Sequence, residues 1–227
     1  MDSIISQIID GYPVHLYRAA EDTALPLIIY NSYKGNGSDI RRLTLTDCPP
    51  HNFLTIEIDN WGDDMSPWFC PSLFPKEKPS RGKADDFLGL LSETIIPWAL
   101  SRLCAPPTYM GITGYSLAGV FSLYSLYKTA VFSRCASISG ALWYPDLPEY
   151  MSSNPMKKTP EIIYMSLGDK ESRTRHPLLK TVGEKTDMIR KLLRDKGLKV
   201  IYESNPGSHF TNAPARCAMA IRCLLTQ

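Results

Sequence analysis

The sequence lacks the features that mark several large classes of protein. It has no charge excess: 25 lysines and arginines against 23 aspartates and glutamates leave +2 over 227 residues. That balance gives no electrostatic reason to expect a nucleic-acid partner. The basic stretches at 173–180 and 190–199 carry acidic residues nearby and read as solvated helix faces. No apolar run approaches the roughly 18 residues of a membrane span, so no membrane partner is expected. The opening MDSIISQIIDGYPVHLYR has no basic region before its apolar residues and no small-residue cleavage site, so it does not read as a secretory signal. The cysteines at 48, 70, 104, 135, 217 and 223 form no C-x-x-C pair and show no metal-ligand spacing with histidine. They are expected to be reduced thiols in a cytoplasm, with no metal and no cofactor.

What is present is an ordinary globular composition, 44% hydrophobic and 21% charged. The length suits one substantial core and a single domain over 1–227. No internal repeat or linker divides it. Short apolar runs rich in Ile and Leu alternate with longer helical patterns. The strands expected are 12–19, 25–31, 53–59, 109–115, 134–140, 161–168 and 199–205. The helices expected are 85–103, with Pro97 as a kink, 117–128, 178–197 ending at Gly197, and about 213–225. Alternation of this kind predicts a parallel, doubly wound α/β sheet, its strands buried on both faces. In such a sheet the active site lies beyond the carboxyl ends of the strands. The loops to read are therefore those after residues 31, 59, 115, 140, 168 and 205.

The loop after 115 holds Gly114-Tyr-Ser-Leu-Ala-Gly119. A serine between a strand and a helix is either the cap of a plain turn or a nucleophile on a sharp, strained elbow that needs small neighbours. The elbow would expose the Ser116 hydroxyl and aim the Leu117 N–H and the helix N-terminus at a developing oxyanion. A serine needs a base to take its proton. Of the four histidines, His15 reads as a surface or edge residue of an early strand. His51 reads as a loop residue far from the site face, and His176 as a residue of a pocket rim. His209, in SNPGSHFTNAP, follows the last strand, where a base would reach the sheet's carboxyl edge. Chain order then asks for an acid between residues 116 and 209. Asp169 and Glu171 both stand in the loop after the strand EIIYMSLG, while Asp146 and Glu149 are less well placed.

With GYSLAG at 114–119, SLGDKE at 166–171 and PGSHF at 206–210 in order on the expected strands, the chain resembles the putative-esterase branch of the α/β-hydrolase superfamily. That branch includes esterase D-like and enterobactin-esterase-like proteins. The resemblance covers nearly the whole chain. It implies an α/β-hydrolase fold, with a mostly parallel central sheet, helices on both faces and no separate lid domain. It implies a serine hydrolase of carboxylic esters, with Ser116 as nucleophile, His209 as base and Glu171 as the acid, Asp169 being the second choice. Many relatives carry His-Gly after the third strand, where this chain has Asn31 and Ser32. Tyr33 would then supply the second oxyanion N–H beside Leu117. The long segment 59–84, with four prolines and four large aromatics, is expected to cover the site face. Trp61, Trp68, Trp143 and Tyr115 are expected to line a compact substrate pocket suited to short acyl, aryl or siderophore-like esters. A thioesterase or acyltransferase could use the same three residues, and a hydrolase fold without turnover could serve as a binding module. The sequence does not give the oligomeric state.

Overall fold

The computed structural model describes residues 3–227. Eight strands form one sheet in the order β1-β2-β4-β3-β5-β6-β7-β8. They are β1 Ser3–Ile9, β2 Tyr12–Arg18, β3 Leu27–Ser32, β4 Asn52–Glu57, β5 Met110–Tyr115, β6 Arg134–Ile138, β7 Ile162–Gly168 and β8 Val200–Asn205. β2 pairs antiparallel with β1 and β4, and every other pairing is parallel. β1 was not expected from the sequence. Its signal is Asp10-Gly11, both at positive φ (50° and 86°), the backbone of the tightest right-twisted hairpin turns.

The helices are α1 Ser38–Asp47, α2 Trp61–Asp64, α3 Ala84–Leu90, α4 Ile96–Leu100, α5 Leu117–Lys128, α6 Leu147–Ser153, α7 Val182–Asp195 and α8 Ala213–Thr226. A π-helical turn, Leu91–Ile95, joins α3 to α4 just before Pro97. Proline has no N–H to give the preceding turn, and the extra residue of a π turn absorbs that mismatch. Alternate residues of the strands feed two cores. Leu27 and Ile29 of β3 join Ile112, Leu117, Phe121 and Ile189 on one face. Ile28 and Tyr30 join Ile40 of α1 and Cys217, Ala220, Ile221 and Leu224 of α8 on the other. Among the described residues no helix is long and apolar enough to cross a membrane.

Candidate active site

The carboxyl ends of β5, β7 and β8 bring three side chains together. β5 runs into Ser116, which takes φ 57° and ψ −120° before α5 begins. A non-glycine residue there is strained, and such strain persists only where the surroundings impose it. Here the Ser116 N–H donates to the Ile138 carbonyl at 3.0 Å, and the Ser116 carbonyl accepts from Gly119 and Ala141. The turn is so tight that a Cβ on Gly114 would lie 2.2 Å from the Ala118 carbonyl oxygen. Gly114→Ala is therefore expected to cost roughly 1–3 kcal/mol or more. A urea titration with activity measured on the same samples checks this; an unchanged midpoint would contradict the packing.

The Ser116 hydroxyl lies 3.0 Å from His209 Nε2, and His209 Nδ1 lies 2.7 Å from Glu171 Oε2. An ionised carboxylate only accepts, so Nδ1 carries the hydrogen and Nε2 accepts from the serine. Glu171 is almost wholly buried, with its side chain 3% exposed. Its other oxygen accepts from the Gly168 N–H at 2.6 Å and from Arg216 at 3.1 Å. Burial pushes the carboxyl up. The hydrogen bond and charge of His209, with donors from Gly168 and Ser139, outweigh burial and hold it below the ordinary value of 4.5. Gly168 has to be glycine, because a Cβ would sit 2.5 Å from the Gly207 carbonyl oxygen and 2.8 Å from Glu171 Oε1.

Asp169 is not part of this chain. Its carboxylate accepts from the Gly207 N–H at 2.7 Å, pinning the loop that carries His209. The other histidines lie elsewhere. His15 bonds Ser6 and Glu57. It sits on β2, inside the edge strand β1, so the expected edge position is corrected. His51 is buried, donating to the Pro49 carbonyl and accepting from Arg41. His176 bonds the Leu73 carbonyl.

Ser116 opens into a cleft of about 910 Å³ lined by Tyr33, Leu117, Trp61, Trp143 and Tyr144, with most of the remaining wall drawn from residues 59–83. This is roomier than the compact pocket expected from the sequence. Tyr33 and Trp61 meet edge to face at 5.3 Å. Asn31, one strand over from Gly114, is fully buried and its amide has no protein partner.

Two expected pocket residues are elsewhere. Trp68 packs among Tyr124, Tyr144 and Tyr150 and gives its indole N–H to the Pro145 carbonyl. There it buries its ring and satisfies its one donor. Tyr115, next to Ser116, points to the opposite side of the strand end by the period of two. Its hydroxyl donates to the His209 carbonyl at 2.5 Å. Arg216 was not anticipated, though a signal was present: it shares one helical face with Cys217, Ala220, Ile221 and Leu224, all buried. A cation on a core-facing stripe must have a buried partner.

A mostly parallel sheet with helices on both faces and a serine on a strained strand-to-helix turn is an α/β-hydrolase fold. The chain belongs to the Putative esterase family, which matches residues 53–212. It is 28% identical over 150 residues to "Uncharacterized protein YbbA" of Bacillus subtilis (strain 168), a match covering 63% of this chain and 59% of that one. The aligned part therefore spans about three fifths of that relative's length. Among solved structures, an IroE-like serine hydrolase from Shewanella oneidensis superposes with a TM-score of 0.80 at 15% identity, covering 99% of this chain and 80% of that one. The siderophore hydrolase EstA from Aspergillus nidulans gives 0.71 at 16%, covering 99% and 93%. At these identities the superpositions establish the fold.

Proposed function

We propose that the protein hydrolyses carboxylic esters through an acyl-enzyme on Ser116, with His209 as base and Glu171 as the acid that orients it. The observation that carries this reading is the unbroken hydrogen-bonded chain Ser116–His209–Glu171, which opens into the cleft at a strained elbow. Nε2 takes the serine proton as Oγ attacks the ester carbonyl, and Glu171 stabilises the imidazolium that forms. The N–H groups of Leu117 and Tyr33 hold the oxyanion, with the positive end of α5 behind Leu117. His209 then protonates the leaving alcohol, and water repeats the sequence on the acyl-enzyme. The cleft volume favours a substrate with at least one bulky part. The siderophore hydrolases among the structural neighbours make esters of that size the first to try.

A fluorophosphonate probe tests the reading. It is expected to label Ser116 stoichiometrically. Both labelling and turnover of a p-nitrophenyl ester are expected to fall on the acid side, with the limb at roughly pH 5 to 8, where histidine bases work. An unlabelled protein would be a binding module with a hydrolase fold. A rate flat across that range, with chemistry rate-limiting, would remove the histidine base. Turnover of a matched thioester, and transfer to an added alcohol, separate the thioesterase and acyltransferase alternatives.

A further inference from the structure

Arg216 is the most heavily bonded buried cation near the site, and the three-residue mechanism leaves it without a role. Its side chain is 3% exposed. One guanidinium nitrogen reaches Glu171 Oε1 at 3.1 Å, Ser139 Oγ at 2.9 Å and the Tyr115 hydroxyl at 3.3 Å. The other donates to the carbonyls of Pro206 at 3.0 Å and Ser208 at 3.1 Å. These partners stand at the ends of β5, β6, β7 and β8, the four strand ends that build the site. Tyr115 in turn bonds the His209 carbonyl. A single planar fork thus ties the elbow strand, the acid loop and the histidine loop to α8.

We propose that Arg216 is a positioning residue: it fixes the Glu171 carboxylate and the His209 loop in register with Ser116, and its charge keeps the Glu171–His209 pair easy to deprotonate. The inference rests on the triad reading given above. Two physical facts support it. A guanidinium stays charged under all ordinary conditions and presents its donors in a fixed fork. A buried charge is tolerated only against a buried counter-charge, and Glu171 is the carboxylate within ion-pair distance of Arg216 among the described residues.

Other groups near the pair do not supply this charge. Tyr115 of β5 and Tyr202 of β8 both have their hydroxyls pushed up by burial, so they are neutral near pH 7. Cys217 of α8, beside Tyr115, is pushed up by burial to about 12. Asp169, in the acid loop, is exposed and engaged with the Gly207 N–H. Lys170, in the same loop, is exposed; besides His209 itself, Arg216 is the cation within ion-pair distance of Glu171 among the described residues. Removing it makes a proton on the pair more favourable, whichever of the two residues holds that proton.

The test compares Arg216→Met and Arg216→Lys with the wild type. It uses kcat, KM and the pH profile of kcat/KM on one p-nitrophenyl ester, with circular dichroism for folding. Arg216→Met is expected to lose roughly 10–100-fold in kcat with little change in KM. Its acid limb is expected to move up by about one pH unit. Mere loosening would weaken the His209–Glu171 hydrogen bond and move the limb down instead. Arg216→Lys keeps the charge and loses the fork. It should hold the limb at the wild-type position while kcat still falls roughly tenfold. A limb that stays or moves down in Arg216→Met overturns the electrostatic part. If Arg216→Met does not fold, a limb shift in Arg216→Lys does the same. Wild-type kcat in Arg216→Lys overturns the positioning part. Ser116→Ala in the same series separates the two readings. If it retains turnover, the triad fails; if it is inactive and Arg216→Met behaves as wild type, only the role of Arg216 fails.

Discussion

Ser116→Ala is expected to lose on the order of 10⁶ in kcat on any ester the wild type turns over. Removing Oγ leaves His209 with no proton to accept and the acyl group with nowhere to form a bond. The oxyanion donors remain, so a residual rate above water is expected, as in other serine hydrolases stripped of their nucleophile. The fold should survive, because the hydroxyl's hydrogen bond is the one to His209, while the elbow is held by backbone bonds to Ile138, Gly119 and Ala141. Ser116→Gly should go further. A residue at φ 57° carries roughly 1–3 kcal/mol of backbone strain, and glycine relieves most of it. The glycine variant is thus expected to be inactive and no less stable than the alanine variant. Parallel urea titrations and turnover assays read both. An alanine variant with a tenth of wild-type rate would move the nucleophile elsewhere. A glycine variant clearly less stable than alanine would remove the strained elbow.

Much of this arrangement is legible without coordinates, for a physical reason. Strands buried on both faces must be nearly continuous in apolar residues. Runs such as Leu27–Ser32 and Ile162–Gly168 therefore stand out, and with them the loops where the site lies. The elbow is legible because its steric demand falls on small residues at fixed offsets, here Gly114 and Ala118. What escaped has the opposite character. β1 is an edge strand with Ile4 and Ile8 exposed, so its alternation is blurred. α1 buries only Ile40, Arg41 and Thr44, too little for an amphipathic stripe. Trp68 was placed at the cleft because it stands in an aromatic-rich loop, but a ring can bury itself under that loop as readily as line its rim. Arg216 was missed because its partners, Glu171, Ser139 and two carbonyls, are far apart in sequence and meet only once the sheet has formed.

Glu171→Gln is expected to lose 10²–10⁴-fold in kcat, on the order of the loss when a protease triad aspartate becomes asparagine. Asp169→Asn is expected to lose less than about tenfold. The difference follows from what surrounds each carboxylate. Glu171 meets donors on every side: His209 Nδ1 at 2.7 Å, the Gly168 N–H at 2.6 Å and Arg216 at 3.1 Å. An amide in that pocket must turn its NH₂ toward a donor. If it faces Arg216 or Gly168, an N–H opposes an N–H in a buried site. If it faces His209, it selects the tautomer with hydrogen on Nε2, which cannot accept from Ser116. Either way the imidazolium also loses its counter-charge. Asp169 faces one donor, the Gly207 N–H at 2.7 Å, and the carbonyl oxygen of asparagine can accept from it in the same rotamer. What Asp169 contributes is the placement of the 205–211 loop, and its amide retains that. The measurement is kcat for both variants on one p-nitrophenyl ester at neutral pH, with circular dichroism for folding. A larger loss for Asp169→Asn would transfer the acid's role to Asp169. Two small losses would leave Ser116 and His209 working as a dyad, with the buried Glu171–Arg216 pair serving only to hold the loops.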